Sequence, residues 1–288
     1  MSRPRGAIGP TGRTTTAAPT LPSPASPLVP SDSRGRRKEA TVNTRARPGH
    51  FYAVGVGPGT PELLTVQATE VIRTADLLFA PRAETAQGSL ALEAARPWID
   101  GKEVVEHVYP MSRDLDRTLR CWSEVADRVA QACNAGRSVA QITLGDPLIY
   151  STSAYLLGLL EGRLPREKIH VIPGISAFQA AASRFGEPLL LQEDRLLLMP
   201  ATDLRAVEEA LGSCETLALY KAGPNFLALR ELLTRRGLAA QSRAVFYVDQ
   251  GDRETVVRDL SAVDPSFAQS AGYMATVIVH VGRREWAR

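Results

Sequence analysis

Three short stretches of this sequence combine glycine, proline and small polar residues in the way a backbone does when it closes around a ligand. They are Gly55-Val56-Gly57-Pro58-Gly59, Leu144-Gly145-Asp146-Pro147 continuing to Ile149-Tyr150-Ser151-Thr152, and Pro173-Gly174-Ile175-Ser176-Ala177. Glycine admits positive φ and lets bare peptide approach a bound group. A helix beginning just beyond such a loop also offers unpaired N–H groups. Loops of this kind suit a nucleoside with a charged tail: peptide groups for the base edge, and the Asp146 carboxylate for ribose hydroxyls or an ammonium. Each also has a plainer reading. Gly-Pro-Gly and Gly-Asp-Pro are good turn chemistry, Asp146 can simply tie its own turn, and Ser176 is well placed to cap a helix.

Other chemistries fit less well. The first loop is not a dinucleotide fingerprint, because Thr60 stands where the third glycine belongs and Pro58 removes an amide. No acidic residue closes the next strand, Leu77-Leu78-Phe79-Ala80, which runs into Pro81. Cys121, Cys133 and Cys214 show no CxxC spacing, so neither a zinc site nor a disulfide framework is expected, and reduced thiols in a cytoplasm are the simple reading. The four histidines, His50, His107, His170 and His280, lie scattered and read as structural.

These loops need strands before them and helices after them. Residues 51–56 read as a buried strand, with Thr60 as N-cap and Pro61 as first residue of the following helix. Further strands are expected at 77–80, 103–108, 138–144, 169–172, 196–199, 216–220, 244–247, 254–258 and 276–281. Helices are expected at 89–96, 115–135, 151–161, 177–185, 204–211 and 226–236. Strands alternating with helices mean an α/β protein with largely parallel sheets. The last three strands lack helices between them, so part of the second sheet should be antiparallel. The expected division is a disordered extension over 1–48, one α/β domain over 49–165 and a second over 166–288, with a cleft between the lobes. The first segment is rich in Pro, Thr, Ser, Ala and Arg and lacks any apolar period.

Of 288 residues, 44% are hydrophobic, enough for one large core or two modest ones. No apolar run approaches the roughly 20 residues a bilayer requires, so no membrane partner is expected. The net charge of +3 sits partly in the first segment, which argues against a nucleic-acid-binding face.

Taken in order and at their spacing, the three loops resemble those of the tetrapyrrole methylase family, also called class III S-adenosylmethionine methyltransferases. The resemblance runs from 51 to about 281. Tyr109-Pro110-Met111, Tyr150-Ser151-Thr152 after Gly-Asp-Pro, and Pro173-Gly174-Ile175-Ser176-Ala177-Phe178-Gln179 bring it nearest the branch that acts on precorrin-2 at C20. The resemblance implies two αβα domains, S-adenosyl-L-methionine folded into the cleft between them, a tetrapyrrole substrate, and a homodimer. It places cofactor contacts at Pro58, Leu144, Gly145, Asp146, Ile149, Ser176 and Ala177, with Lys221 and Thr276 as further candidates. Asp146 and Tyr150 are candidate catalytic groups. For the acidic side chains of such a ring, Arg82, Arg113 and Arg184 are candidate partners. Three other readings share the pattern: a methylase of this fold acting on another ring position or a non-tetrapyrrole acceptor, a nicotinamide oxidoreductase, and a non-catalytic ligand-binding protein.

Overall fold

A run such as Phe51-Tyr52-Ala53-Val54-Gly55 has no polar face to show to water, so it belongs inside a sheet covered on both sides. A computed structural model of the chain places it there. The structure describes residues 45–84, 86–109, 115–264 and 273–282. The first sheet contains β1 (Phe51–Gly55), β2 (Leu77–Ala83), β3 (Glu103–Tyr109), β4 (Val139–Thr143) and β5 (Ile169–Ile172) in the order β3-β2-β4-β1-β5, with every neighbouring pair parallel. One face packs Phe51, Ala53 and Phe79 against α3 (Leu115–Asn134) and α4 (Ser153–Leu160). Helix α3 meets it with Trp122, Val125, Ala126, Val129, Ala130 and Cys133, the stripe that a 3.6-residue period produces. The other face packs Tyr52, Val54, Leu78 and Ile142 against α1 (Val66–Thr74) and α2 (Leu90–Ala95).

The second sheet has the order β6-β7-β10-β8-β9, from β6 (Leu196–Pro200), β7 (Thr216–Tyr220), β8 (Ser242–Phe246), β9 (Thr255–Val257) and β10 (Ala275–His280). Only β6–β7 is parallel, so the expected antiparallel part is present. Helices α6 (Leu204–Ala210) and α7 (Phe226–Arg235) cover one face through Val207, Phe226, Leu229 and Leu233. On the other face, α5 (Ala177–Phe185) sets Ala180, Ala181 and Phe185 on Ala218, Val245 and Ile278.

Three sequence expectations shift. Strand β5 joins the first sheet beside β1, with Phe51 opposite Ile169 and Val54 opposite Ile172, so the lobes do not part near 165. The chain passes from one sheet to the other through α5, and both sheets lie within one unit, Val42–Arg288. Second, the segment expected to be disordered up to 48 is anchored from 45 onward. The Ala46 amide donates to Thr74 Oγ1 at 2.9 Å and the Arg47 amide to Tyr52 Oη at 3.0 Å. The rest of that segment lies outside the described residues. Third, Thr60 does not cap the first helix. Residues Pro61–Leu63 form a separate 3₁₀ turn, Thr60 pairs with Glu62, and Thr65 caps α1 by accepting from the Ala68 amide at 3.1 Å.

His107 on β3 is wedged between the rings of Phe79, Tyr109 and Trp122. Burial lowers its pKa from 6.5 to about 4. The unfolded chain therefore binds a proton that the folded chain refuses between those values, and this group's contribution is lost as pH falls through them, by up to about 3 kcal/mol. In urea titrations at several pH values, His107→Leu should show a shallower loss of stability from pH 7 to 4.5 than the parent.

Candidate active site

Because β4, β1 and β5 are adjacent and parallel, the loops that leave their carboxyl ends emerge side by side. These are the three loops singled out by composition, and this is where open parallel sheets gather ligands. Glycine is what lets them meet. A Cβ on Gly55 would stand 2.5 Å from the Gly145 carbonyl oxygen and 2.7 Å from the Gly174 amide. Gly57 and Gly145 exchange backbone hydrogen bonds, at 3.3 and 2.6 Å. Asp146 completes the joint: Oδ1 accepts from the Leu148 amide at 2.9 Å, and Oδ2 accepts from the Gly174 amide at 3.0 Å. Its carboxylate thus ties its own turn and also holds the second loop to the third. Ser176 opens α5, its amide donating to Gln179 Oε1 at 3.0 Å.

Facing these loops is the edge of the second sheet where β7 ends and β10 begins, joined by the Ala222 amide donating to Ala275 O at 3.3 Å. Between the two lies a cleft of about 370 Å³, lined largely by apolar atoms. Pro58, Leu144, Gly145, Asp146, Ile149, Tyr150, Ser176, Ala177, Arg82, Lys221 and Thr276 all border it. Tyr150 crosses the gap, its hydroxyl donating to Leu198 O of β6 at 3.2 Å. Its ring lies edge-on to Tyr220 with centroids 5.7 Å apart, and Lys221 Nζ sits 5.9 Å from the ring centre. Tyr150 and Lys221 both hold positive φ, 48° and 56°, as do Tyr247 and Asp249 in the loop that brings Val248 and Gln250 to the cleft. Non-glycine residues in that region carry strain that the surrounding structure must impose, and such strain collects at ligand sites.

Residues 50–261 match the family model described as Tetrapyrrole (Corrin/Porphyrin) Methylases, well over half of the chain. The chain belongs to that family. Among curated proteins, this methylase is 33% identical over 192 residues to the cobalt-precorrin-2 C(20)-methyltransferase of Salmonella typhimurium, covering 66% of this chain and 80% of that protein. It is 31% identical over 245 residues to the precorrin-2 C(20)-methyltransferase of a Sinorhizobium species, covering 80% of this chain and 95% of that one. Among solved structures, a cobalt precorrin-4 methyltransferase superposes with a TM-score of 0.61 at 19% identity, covering 83% of this chain and 97% of the other. The uroporphyrin-III C-methyltransferase of Thermus thermophilus, solved with S-adenosylhomocysteine, gives 0.55 at 19% identity over 81% of this chain and 98% of its own. At those identities the superpositions speak to the fold: two α/β layers about a cleft.

The three arginines expected to meet substrate fare differently in the methylase. Arg82 borders the cleft, positioned by a hydrogen bond from Nη1 to Ala86 O at 2.8 Å and by Glu106, 3.6 Å away. Arg184 does not reach the cleft. It pairs with Asp249 and with Glu254, the latter at 2.8 Å, and so binds α5 to the loop after β8. Asp249 is nearly inaccessible there, and burial pushes its carboxyl up against the pull of Arg184. Arg113 lies outside the described residues, as do Pro110 and Met111.

Composition gave no reason to single out Tyr220, Val245, Val248 and Gln250, which border the cleft together with Tyr109, Tyr273 and Met274. Tyr109 is held by stacking on Trp122 at 3.7 Å. Tyr220 accepts a hydrogen bond from the Phe178 amide at 3.0 Å, and burial pushes its pKa to about 12. It stays protonated across the working range of an enzyme and is no general base. The available signal was position: Tyr220 and Lys221 close a predicted strand, where α/β proteins place ligand contacts. Among the described residues no group of three metal-ligating side chains converges, and no helix is long and apolar enough to cross a membrane.

Proposed function

We propose that this methylase transfers the methyl group of S-adenosyl-L-methionine to C20 of precorrin-2, with or without cobalt in the ring, in cobalamin biosynthesis. One observation carries the reading: an apolar cleft closes over exposed backbone where the three loops meet. At Gly145 φ is +72°, and nothing lies within 4 Å of the place a Cβ would take, so the peptide is open to a bound nucleoside. Pro58, Leu144, Ile149 and Ala177 supply apolar walls for the adenosine, and the peptide groups of the second and third loops supply its polar partners. The precorrin-2 methyltransferase names of two relatives and the S-adenosylhomocysteine bound to a structural neighbour support the same assignment.

S-adenosylmethionine brings an activated methyl on a sulfonium centre, which leaves the protein with positioning as its main task. The electron-rich meso carbon of the ring must lie in line with that methyl, away from water. Tyr150, Tyr220 and Tyr273 provide flat walls for a macrocycle, and Arg82 and Lys221 provide cations at the rim for its carboxylates. The proton on the meso carbon leaves after the new C–C bond has formed, and Tyr220, held neutral, does not accept it. The same reading places the enzyme in the cytoplasm as a homodimer, supported by the family resemblance and by three free cysteines.

Incubation with S-adenosylmethionine and enzymatically generated precorrin-2, read by mass spectrometry and NMR of the pigment, should show one added methyl at C20. An unmodified pigment despite tight binding of S-adenosylhomocysteine would redirect the search to another acceptor. Arg82→Glu should weaken pigment binding about tenfold or more by reversing a charge-assisted contact, with S-adenosylhomocysteine affinity preserved. Unchanged pigment affinity in a fluorescence titration would discard Arg82 as a substrate contact.

A further inference from the structure

A second cavity, of about 360 Å³, lies on the flank of the first sheet beside its edge strand β5. No residue lining it lines the cleft. Arg45, Arg47, Arg166 and His170 surround it, with Tyr52 and Gln67, and no carboxylate is among its lining residues. On one wall, where Arg47 and His170 meet, nitrogen atoms crowd together, with His50 behind them. Arg47 Nη2 lies 3.1 Å from His170 Nε2, and His50 Nδ1 lies 2.9 Å from that same atom. Arginine can only donate, so His170 Nε2 is the acceptor there, the His170 ring is neutral, and His50 donates through Nδ1.

The charges around this cavity are mostly unanswered. Arg45 shares Glu70 with Arg73, at 3.2 and 2.9 Å. Among the described residues neither Arg47 nor Arg166 makes an ion pair, and Arg166 spends Nη1 on its own Ile169 carbonyl at 3.1 Å. Arg47 and Arg166 are exposed, so water screens their mutual repulsion, and an anion seated between them would gain from both. A carboxylate brings one charge and two oxygens. A phosphate brings close to two charges and three free oxygens, a better match for three planar forks.

We propose that this pocket binds a phosphate group, free or carried by a nucleotide, with Arg47 and Arg166 as its principal partners and His170 as a switchable donor. Both imidazoles are biased toward the neutral form. For His170 the causes are burial, then Arg47, His50 and Arg166. For His50 they are burial, Arg47 and Lys168, opposed by Glu167. A bound dianion reverses the sign of the local field and favours the imidazolium, so both histidines should titrate at higher pH in the complex than without it.

The test uses the full chain with its cleft filled by S-adenosylhomocysteine, titrated with inorganic phosphate and separately with AMP, and follows the ring resonances of His50 and His170 by NMR. Saturable binding with an upward shift of the His170 titration is expected. Arg47→Met and Arg166→Met should each weaken it about tenfold or more, the usual scale of a lost charge-assisted pair, while S-adenosylhomocysteine affinity shows that the variants remain folded. AMP binding more tightly than phosphate identifies a nucleotide as the source, and equal affinity identifies free phosphate. Absence of saturation into the millimolar range, or variants that bind as the parent does, overturns the proposal.

Discussion

Gly174→Ala will cost this methylase both stability and cofactor binding. Its Cβ would fall on the Gly145 carbonyl oxygen and 2.9 Å from Gly55 Cα, so the conflict is with backbone on two other loops and no rotamer relieves it. Since φ at Gly174 is not positive, the effect is one of space alone. Overpacking of this kind costs about 3 kcal/mol, which for a domain of this size lowers the melting temperature by about 6–12 °C. S-adenosylhomocysteine affinity should fall with it, because β5's loop must move away from the two that complete the cleft. A calorimetric scan beside a cofactor titration checks both. A variant that melts and binds like the parent would show that the three loops do not depend on contact through their glycines.

The second large effect falls on Asp146. Both of its oxygens are engaged by amides, those of Leu148 and Gly174. Asp146→Ala leaves both amides without their partner and should destabilise the protein by about 2–4 kcal/mol. It should also weaken cofactor binding about tenfold or more, since charge-assisted hydrogen bonds set the loop's shape. Asp146→Asn separates joint from catalyst. One amide oxygen can still hold one of the two backbone amides, so stability and affinity should fall by less. If Asp146 served as the proton acceptor, kcat at saturating substrates would drop about 10²–10⁴-fold even in a folded variant. The geometry predicts kcat within about tenfold of the parent, and a larger drop at unchanged cofactor affinity would restore the catalytic role.

Much of the fold was legible because its strands are short apolar runs bounded by glycine and proline. Residues 51–56, 138–144 and 216–220 needed no tertiary information to be recognised. The three loops were legible for the same reason, since a glycine that must pack against a glycine is visible in sequence even when its partner is not. Most of the failures involve partners distant in sequence. Nothing near Arg184 announces Asp249 and Glu254, which lie 65 and 70 residues on. Strand β5 follows a linker-like stretch and looks like a new beginning, yet Ile169 and Ile172 find their place beside β1. Tyr220 becomes a cleft residue only when β10 returns antiparallel to β7. The cap moved from Thr60 to Thr65 because both threonines precede plausible first turns, and the 3₁₀ turn at Pro61–Leu63 occupies the first of them.

The passage of the chain through β5 and α5 has a consequence for how the molecule can come apart. Cutting the chain before β5 would strip an edge strand from the first sheet, while cutting after α5 would bare Ala218, Val245 and Ile278 on the second. Only a break in the short loop between β5 and α5, residues 173–176, would leave both sheets whole. The loop that opens α5 borders the cleft, which makes the ligand site the seam along which loss of one sheet is felt by the other.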